Sequence, residues 1–181
     1  MNQVIIDVTH AMESYEFHLA LKSFHTFFWH DFCDNYLEYI KYRIYGTNVK
    51  AKQAAQYVLL YVLKNSLKLF APVAPHITEE MYHGLFAAEA KKSKSIHRSS
   101  WPKPQEIDEN LFSVLDQFNR IVGEIRQHKS KNKLAQNAEL PLLKISAPDE
   151  LPIELLAELK LISKIKKVTA EKAPELQVFF S

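Results

Sequence analysis

Between Phe24 and Gly46 the chain reads FHTFFWHDFCDNYLEYIKYRIYG, and few folds accommodate such a stretch. Phe24, Phe27, Phe28, Trp29, Phe32, Tyr36, Tyr39, Tyr42 and Tyr45 recur at helical spacing, three or four residues apart. Each ring buries a large area when packed, so the pattern predicts a helix buried round much of its circumference and forming the axis of the core. The charges among the rings, Asp31, Asp34, Glu38, Lys41 and Arg43, have to be paired or used wherever they are buried.

The rest of the chain reads mostly as helix. Only three glycines in 181 residues, Gly46, Gly84 and Gly123, argue against a turn-rich β fold. Residues 2–13 start directly in helical pattern, with Val4, Ile5, Val8 and Met12 on one face, as in a helix cut partway through. A long helix is expected over Glu16–Tyr45 with Gly46 as its stop. Thr47 or Asn48 then caps a third helix, striped by Ala54, Ala55, Val58, Leu59, Val62, Leu63, Leu67 and Phe70.

Pro72 and Pro75 punctuate the chain, and a fourth helix runs from Pro75 to about Ala90, with Glu79 and Glu80 near its positive end. Lys91–Gln105 reads as a surface loop pinned by Ile96 and Trp101. A fifth helix is expected over Asp108–His128, with Leu111, Leu115, Phe118, Ile121, Val122 and Ile125 on one face. The pattern then changes to strand at Leu140–Ser146, helix at Pro152–Ile162, and strands at KKVTAE and LQVFF. The expected organisation is therefore mainly α: an antiparallel helical bundle over 1–128, a basic linker over 129–137 and a small α+β appendage over 138–181.

Charge is uneven although the net value is only +2. Residues 91–133 hold ten Lys and Arg against five Asp and Glu, whereas residues 1–90 hold seven against nine. A polyanion is therefore expected to meet the middle of the chain. Two groups of cations are candidates for RNA contact. Lys41, Arg43, Lys50 and Lys52 flank Gly46 beside Tyr42 and Tyr45, and Arg98, Arg120, Arg126, Lys129, Lys131 and Lys133 belong to the positive segment. Cations mixed with aromatics suit single-stranded loops, where phosphates are neutralised and splayed bases stack.

Other chemistries fit poorly. Three scattered glycines cannot build a phosphate-binding loop. His76, Glu80 and His83 share a helix face, but HITEEMYH lacks the order of a zinc hydrolase, so no metal site is read here. Cys33, near His25 and His30, stands amid Trp29, Phe32 and Tyr36 and reads as a small buried hydrophobe. Asp31 and Asp34 read as hydrogen-bond or ion-pair partners that tie neighbouring helices, not as an acid–base pair. A single cysteine suits a reducing cytoplasm, and no apolar run is long enough for a membrane span.

Three segments carry a family likeness: FFWHDFCDNYLEYIKYRIYG, LKLFAPVAPHITEEMY (Leu67–Tyr82) and SIHRSSWP (Ser95–Pro102). In order and spacing they resemble the anticodon-binding domain of class I aminoacyl-tRNA synthetases of the valine, isoleucine and leucine group. The wording is most similar to the valyl-tRNA synthetases; CDNYLE and SIHRSSWP disfavour the isoleucyl and leucyl counterparts. The likeness implies a domain that grips the anticodon stem and loop of a tRNA, that of valine. The partner domain of the full-length enzyme would use ATP and magnesium to make an aminoacyl-adenylate, and another would edit mischarged product. The HIGH and KMSKS signatures are absent, so no catalytic residue is assigned here, and Lys92-Ser93-Lys94-Ser95 only echoes the second. Family members open the bundle with a Trp or Phe-Met followed by basic residues. This chain opens at Asn2-Gln3-Val4-Ile5, so no base-reading residue is carried over. The rival from another class is a helical protein-interaction module.

Overall fold

A computed structural model describes residues 1–106, 109–148 and 151–180, with the side chains of 109–112 and 154 outside the description. The chain falls into two compact units, Met1–Gln105 and Glu106–Ser181. Helical periodicity alone groups the fifth helix with the bundle, whereas this division places it with the sheet.

The first unit is helical. Helix α1 spans Asn2–Glu13 and packs on α2, Phe17–His25. The chain continues from α2 without a break into Thr26–Tyr36, wound as a π-helix, and then into α3, Leu37–Tyr45. One rod is thus present where one helix is expected, but its middle third is wound more loosely than an α-helix. Rings at i and i+4 form a ladder along it: Phe24 on Phe28, Phe28 on Phe32 and Phe32 on Tyr36, with centroids 5.6, 5.9 and 5.8 Å apart.

The expectation that this rod is the axis of the core fails. Phe32 is its one buried ring, and Trp29 is 55% exposed. The rings pack largely on each other along one side, and only the first of them reach the core: Phe24 stacks on Phe70 at 5.1 Å, and Phe24 and Phe27 border the cluster built on Val4 and Ile5. Two clusters make the core instead. Val4, Ile5, Val8, Ala11, Ala20 and Leu69 form one, and Leu67, Ala71, Tyr82, Phe86, Ala90 and Ile96 the other. Both draw on α4, Val49–Phe70, whose C-terminal half supplies Leu67 and Leu69. Asp34 meets His30 one turn earlier on its own helix, 3.2 Å away, and both are more than half exposed. The polar contacts expected to be buried there lie at the surface.

Asn48 caps α4, its Oδ1 accepting from Ala51 N–H at 3.2 Å. Gly46 does end α3, though not in the left-handed conformation: its φ is −76°. A Cβ there would lie 2.5 Å from the Tyr42 carbonyl oxygen, so close backbone approach explains the glycine. Left-handed stops fall instead to Tyr15, Lys94, Lys133 and Lys164. The expected fourth helix is two. α5, Pro75–Leu85, breaks at Phe86, and α6, Ala87–Ser93, runs into what reads as loop. A 3₁₀ turn, Ile96–Arg98, follows. Ile96 is buried, and Trp101 Nε1 donates to Thr9 Oγ1 at 2.8 Å, so both residues pin the segment as expected.

The second unit holds α7, Glu109–Lys131, and a three-stranded sheet. Asp108, the expected start of α7, lies outside the described residues, as does the Leu111 side chain. Phe118, Ile121, Val122 and Ile125 are buried, but Leu115 is 48% exposed. Strand β1, Leu140–Ala147, is central; β2, Ile165–Lys172, pairs with it in parallel through α8, Ile153–Ile162. Strand β3, Gln177–Phe180, pairs antiparallel on the other side of β1. Leu143, Ile145 and Ala147 point to one face and are buried. The result is mainly α with a small α+β portion at its C-terminal end, as the sequence predicts.

Candidate nucleic-acid interface

The turn from α3 to α4 gathers five candidates from the sequence: Lys41, Arg43, Tyr45, Lys50 and Lys52. α3 and α4 pack together, so the end of one and the start of the other share a corner. Tyr45 is 84% exposed, which costs apolar hydration and leaves its ring open to stacking. Lys41 Nζ meets Glu38 Oε1 at 2.6 Å, an exposed pair in the same helix. Arg43 Nε donates to Tyr42 Oη at 2.9 Å, and its guanidinium lies 5.7 Å from the centre of the Tyr42 ring. Lys50 and Lys52 are exposed in the first turns of α4. From Lys41 to Lys52 the chain carries four cations and no acid, so the corner is electropositive.

The sequence reading missed Tyr57. It lies seven residues beyond Lys50, two helical turns, and so on the same face of α4; it is 68% exposed. Its ring stacks on Tyr61, 6.5 Å between centroids. Burial pushes the Tyr61 phenol up, and the neighbouring Tyr57 adds to that. The spacing Lys50, Tyr57, Tyr61 could have revealed this stripe, but both tyrosines read equally well as caps on a core.

Arg98 stands apart from that corner, in the 3₁₀ turn. Glu79 on α5 holds this turn: its Oε2 accepts from Ile96 N–H at 2.8 Å and Ser95 Oγ at 3.1 Å. Its Oε1 meets His83 Nε2 at 3.0 Å. Burial would raise the Glu79 pKa, but the donors Ile96, Ser95 and His83 outweigh it and hold the carboxyl below its ordinary range. Lys68 Nζ donates to Ser100 O at 3.0 Å, fixing the far side of the same turn.

The remaining cations belong to the second unit. Arg120 and Lys131 are exposed and eleven residues apart, three helical turns, so they share the outer face of α7. Arg126 is half-buried, and Lys133 is exposed in the left-handed stop after α7. Lys129 does not belong with them. It is 1% exposed, and its Nζ donates to Gln136 O at 2.9 Å and Ser163 O at 2.8 Å. Burial, and then Lys164 nearby, pull its pKa down. An amine spent on two carbonyls inside the protein is not available to a phosphate, which removes Lys129 from the candidates.

The other constellations do not converge. His83 turns to Glu79 instead of joining His76 and Glu80, and among the described residues no three metal-ligating side chains come together. Burial, with Asp34 adding to it, raises the Cys33 thiol pKa and disfavours the thiolate a nucleophile needs. No helix among the described residues is long and apolar enough to cross a membrane.

The helical unit thus carries a corner of cations and exposed rings between α3 and α4, and a turn bearing Arg98 that Glu79 pins. Residues 1–145 match the model of the anticodon-binding domain of tRNA ligases, and the chain belongs to that family. The match begins at α1 and ends within β1, so it covers part of both units. Among curated relatives, the valine–tRNA ligase of Pyrococcus horikoshii is 39% identical over 151 residues, covering 82% of this chain and 17% of that protein. The valine–tRNA ligase of Pyrococcus abyssi is 36% identical over 166 residues (91% and 18%). That of Methanopyrus kandleri is 34% identical over 183 aligned residues (98% and 19%). The chain thus spans less than a fifth of the length of these relatives.

Proposed function

We propose that the chain is the tRNA-gripping part of a valine–tRNA ligase and binds the anticodon stem and loop of a valine tRNA. The observation that carries the reading is the α3–α4 corner in a chain of this family: Lys41, Arg43, Lys50 and Lys52 around the exposed rings of Tyr45 and Tyr57. Phosphates of a folded-back RNA loop meet the cations, and an unstacked base lies on a tyrosine. Arg98, Arg120, Arg126, Lys131 and Lys133 supply further backbone contacts, with Arg98 held in place by the Glu79 clamp. In the complete enzyme a catalytic domain consumes ATP, with magnesium, to charge the tRNA whose far end this part anchors. Such an enzyme works in the cytoplasm, where protein is made, and the single cysteine suits that compartment.

Titration of a valine anticodon stem-loop over a salt series tests the reading. Affinity is expected to fall as salt rises, and to exceed that for an unrelated stem-loop of equal length. The double variant Lys50→Glu, Lys52→Glu should weaken binding and flatten the salt dependence by about 0.7 to 0.9 in log–log slope for each phosphate it no longer neutralises. Salt-independent binding, or none, would favour a protein-interaction module; equal affinity for every stem-loop would leave the RNA reading but remove the valine assignment.

A further inference from the structure

The sheet of the second unit has one covered face and one open face, and the open face carries a pattern of its own. The strand registers decide which side chains share it. Lys144 on β1 lies opposite Phe179 on β3 and beside Thr169 on β2. One step along, Leu142 pairs with Lys167; one step the other way, Ser146 lies between Glu171 and Gln177. Because alternate residues share a face, Leu142, Lys144, Ser146, Lys167, Thr169, Glu171, Gln177 and Phe179 form one surface.

Leu143, Ile145 and Ala147 occupy the opposite face, with Phe180 beside Leu143. The C-terminal end of α7 lies on that opposite side. His128 of α7 stacks on the Phe180 ring, with centroids 3.8 Å apart, and α8 packs on β2. On the other side Lys144, Lys167, Thr169 and Gln177 are exposed and Phe179 is 50% exposed, whereas Leu140, Ser146 and Ile165 on that side are buried.

A half-exposed ring on the solvent side of an edge strand forgoes hydrophobic stabilisation, and polar side chains are the norm there. Here the ring sits directly across from Lys144 on β1, and Lys167 lies one strand further over, on β2. The acid on the same face, Glu171, is engaged by Ser146 Oγ at 3.0 Å, at the far end from Lys167. A ring beside one lysine, with a second lysine across the same side of the sheet, matches what an unpaired nucleotide needs: a π-face for the base and ammonium groups for nearby phosphates.

We infer that this face is a second RNA-binding surface, on which a single-stranded nucleotide stacks on Phe179 while Lys144 and Lys167 meet the flanking phosphates. It is separate from the α3–α4 corner in sequence and in structural unit, and it stands or falls independently of the reading given above. Gln177, two residues along β3 on the same side, offers hydrogen bonds near the ring without selecting a base, so the surface should tolerate any sequence.

The test uses the full 181-residue chain and a short, fluorescein-labelled single-stranded oligouridylate, which cannot form a stem. Phe179→Ala should weaken binding by on the order of tenfold while leaving the salt slope unchanged, because stacking carries no charge. Phe179→Tyr should retain binding, since the ring is kept. Lys144→Glu with Lys167→Glu, both at exposed positions that the fold tolerates, should lower affinity and reduce the salt slope together. Ultraviolet cross-linking followed by mass spectrometry should place the adduct on Phe179.

The inference is overturned if oligouridylate binds Phe179→Ala and the lysine pair variant as it binds the unaltered chain. It is equally overturned if the Phe179 variants change only self-association in sedimentation, which would make this face an interface between copies. Loss of binding in Lys50→Glu, Lys52→Glu with the sheet variants unaffected would place all RNA binding at the helical corner and also remove the inference. If the sheet variants lose oligouridylate and the corner variants keep it, the inference stands whatever becomes of the anticodon reading.

Discussion

Lys129 carries an ammonium group to a place where only carbonyl oxygens receive it. Ser163 closes α8, so the charge lies at the negative end of that helix dipole, which offsets part of the cost of burial. Lys129→Met is expected to destabilise the chain by about 1–3 kcal/mol, because the buried Ser163 carbonyl is left without a donor. Urea denaturation measures this, and stem-loop affinity at fixed salt should not change, unlike the result of removing a surface lysine. Gly46 is the other position where one atom decides. Gly46→Ala sets a methyl group against the Tyr42 carbonyl and should cost about 1–3 kcal/mol as α3 shifts to relieve it. Retained urea midpoint in that variant would mean the turn has slack. That Gly46 ends a helix was legible in the sequence; that it does so by close approach, with ordinary φ, was not.

Among the elements, α5 and the turn it holds make the clearest case. Glu79 stood out in the sequence as an acid near a helix start, which accounts for its sign but not its partners. Its donors come from Ser95 and Ile96, sixteen and seventeen residues away, and no local pattern announces them. Because the folded carboxyl is held below its ordinary value of 4.5, its stabilising effect is complete above that pH and fades as pH falls through 4.5 toward the folded value. The difference in melting temperature between the unaltered chain and Glu79→Gln should therefore be largest near neutral pH and shrink in acid. A difference that persists unchanged in acid would show that the carboxylate's charge is irrelevant to the clamp. The aromatic rod teaches a related lesson. Its ring spacing predicted helix, and the chain is helical throughout Phe17–Tyr45, but the same spacing cannot say what the rings touch. The rings stack on one another through the π-wound segment, and the core forms where α1, α2, α4 and α5 meet.

At the scale of the whole molecule, charge patterning pointed to residues 91–133 as the polyanion-binding segment. The structure divides those residues between the two units, with Arg98 in the first and Arg120, Arg126, Lys131 and Lys133 in the second. The helical corner at Gly46 lies in the half of the chain whose overall charge is slightly negative, yet it concentrates cations in space because α3 ends where α4 begins. Its variants should therefore move the salt slope of stem-loop binding more than Arg120→Ala does, since Arg120 shares its helix face with Asp116 and Glu124. An equal or larger effect at Arg120 would shift the interface to α7.

By itself the sequence determined the helical content, the position of the α+β portion and the family, because these rest on periodicity, glycine count and contiguous motifs. Each of those is a local property of the chain. The identity of the core, the withdrawal of Lys129, the Glu79 clamp and the open sheet face carrying Phe179 were decided only by tertiary structure. They depend on which distant residues meet, and on strand register, where a slip of one residue would have turned Phe179 inward and Phe180 out.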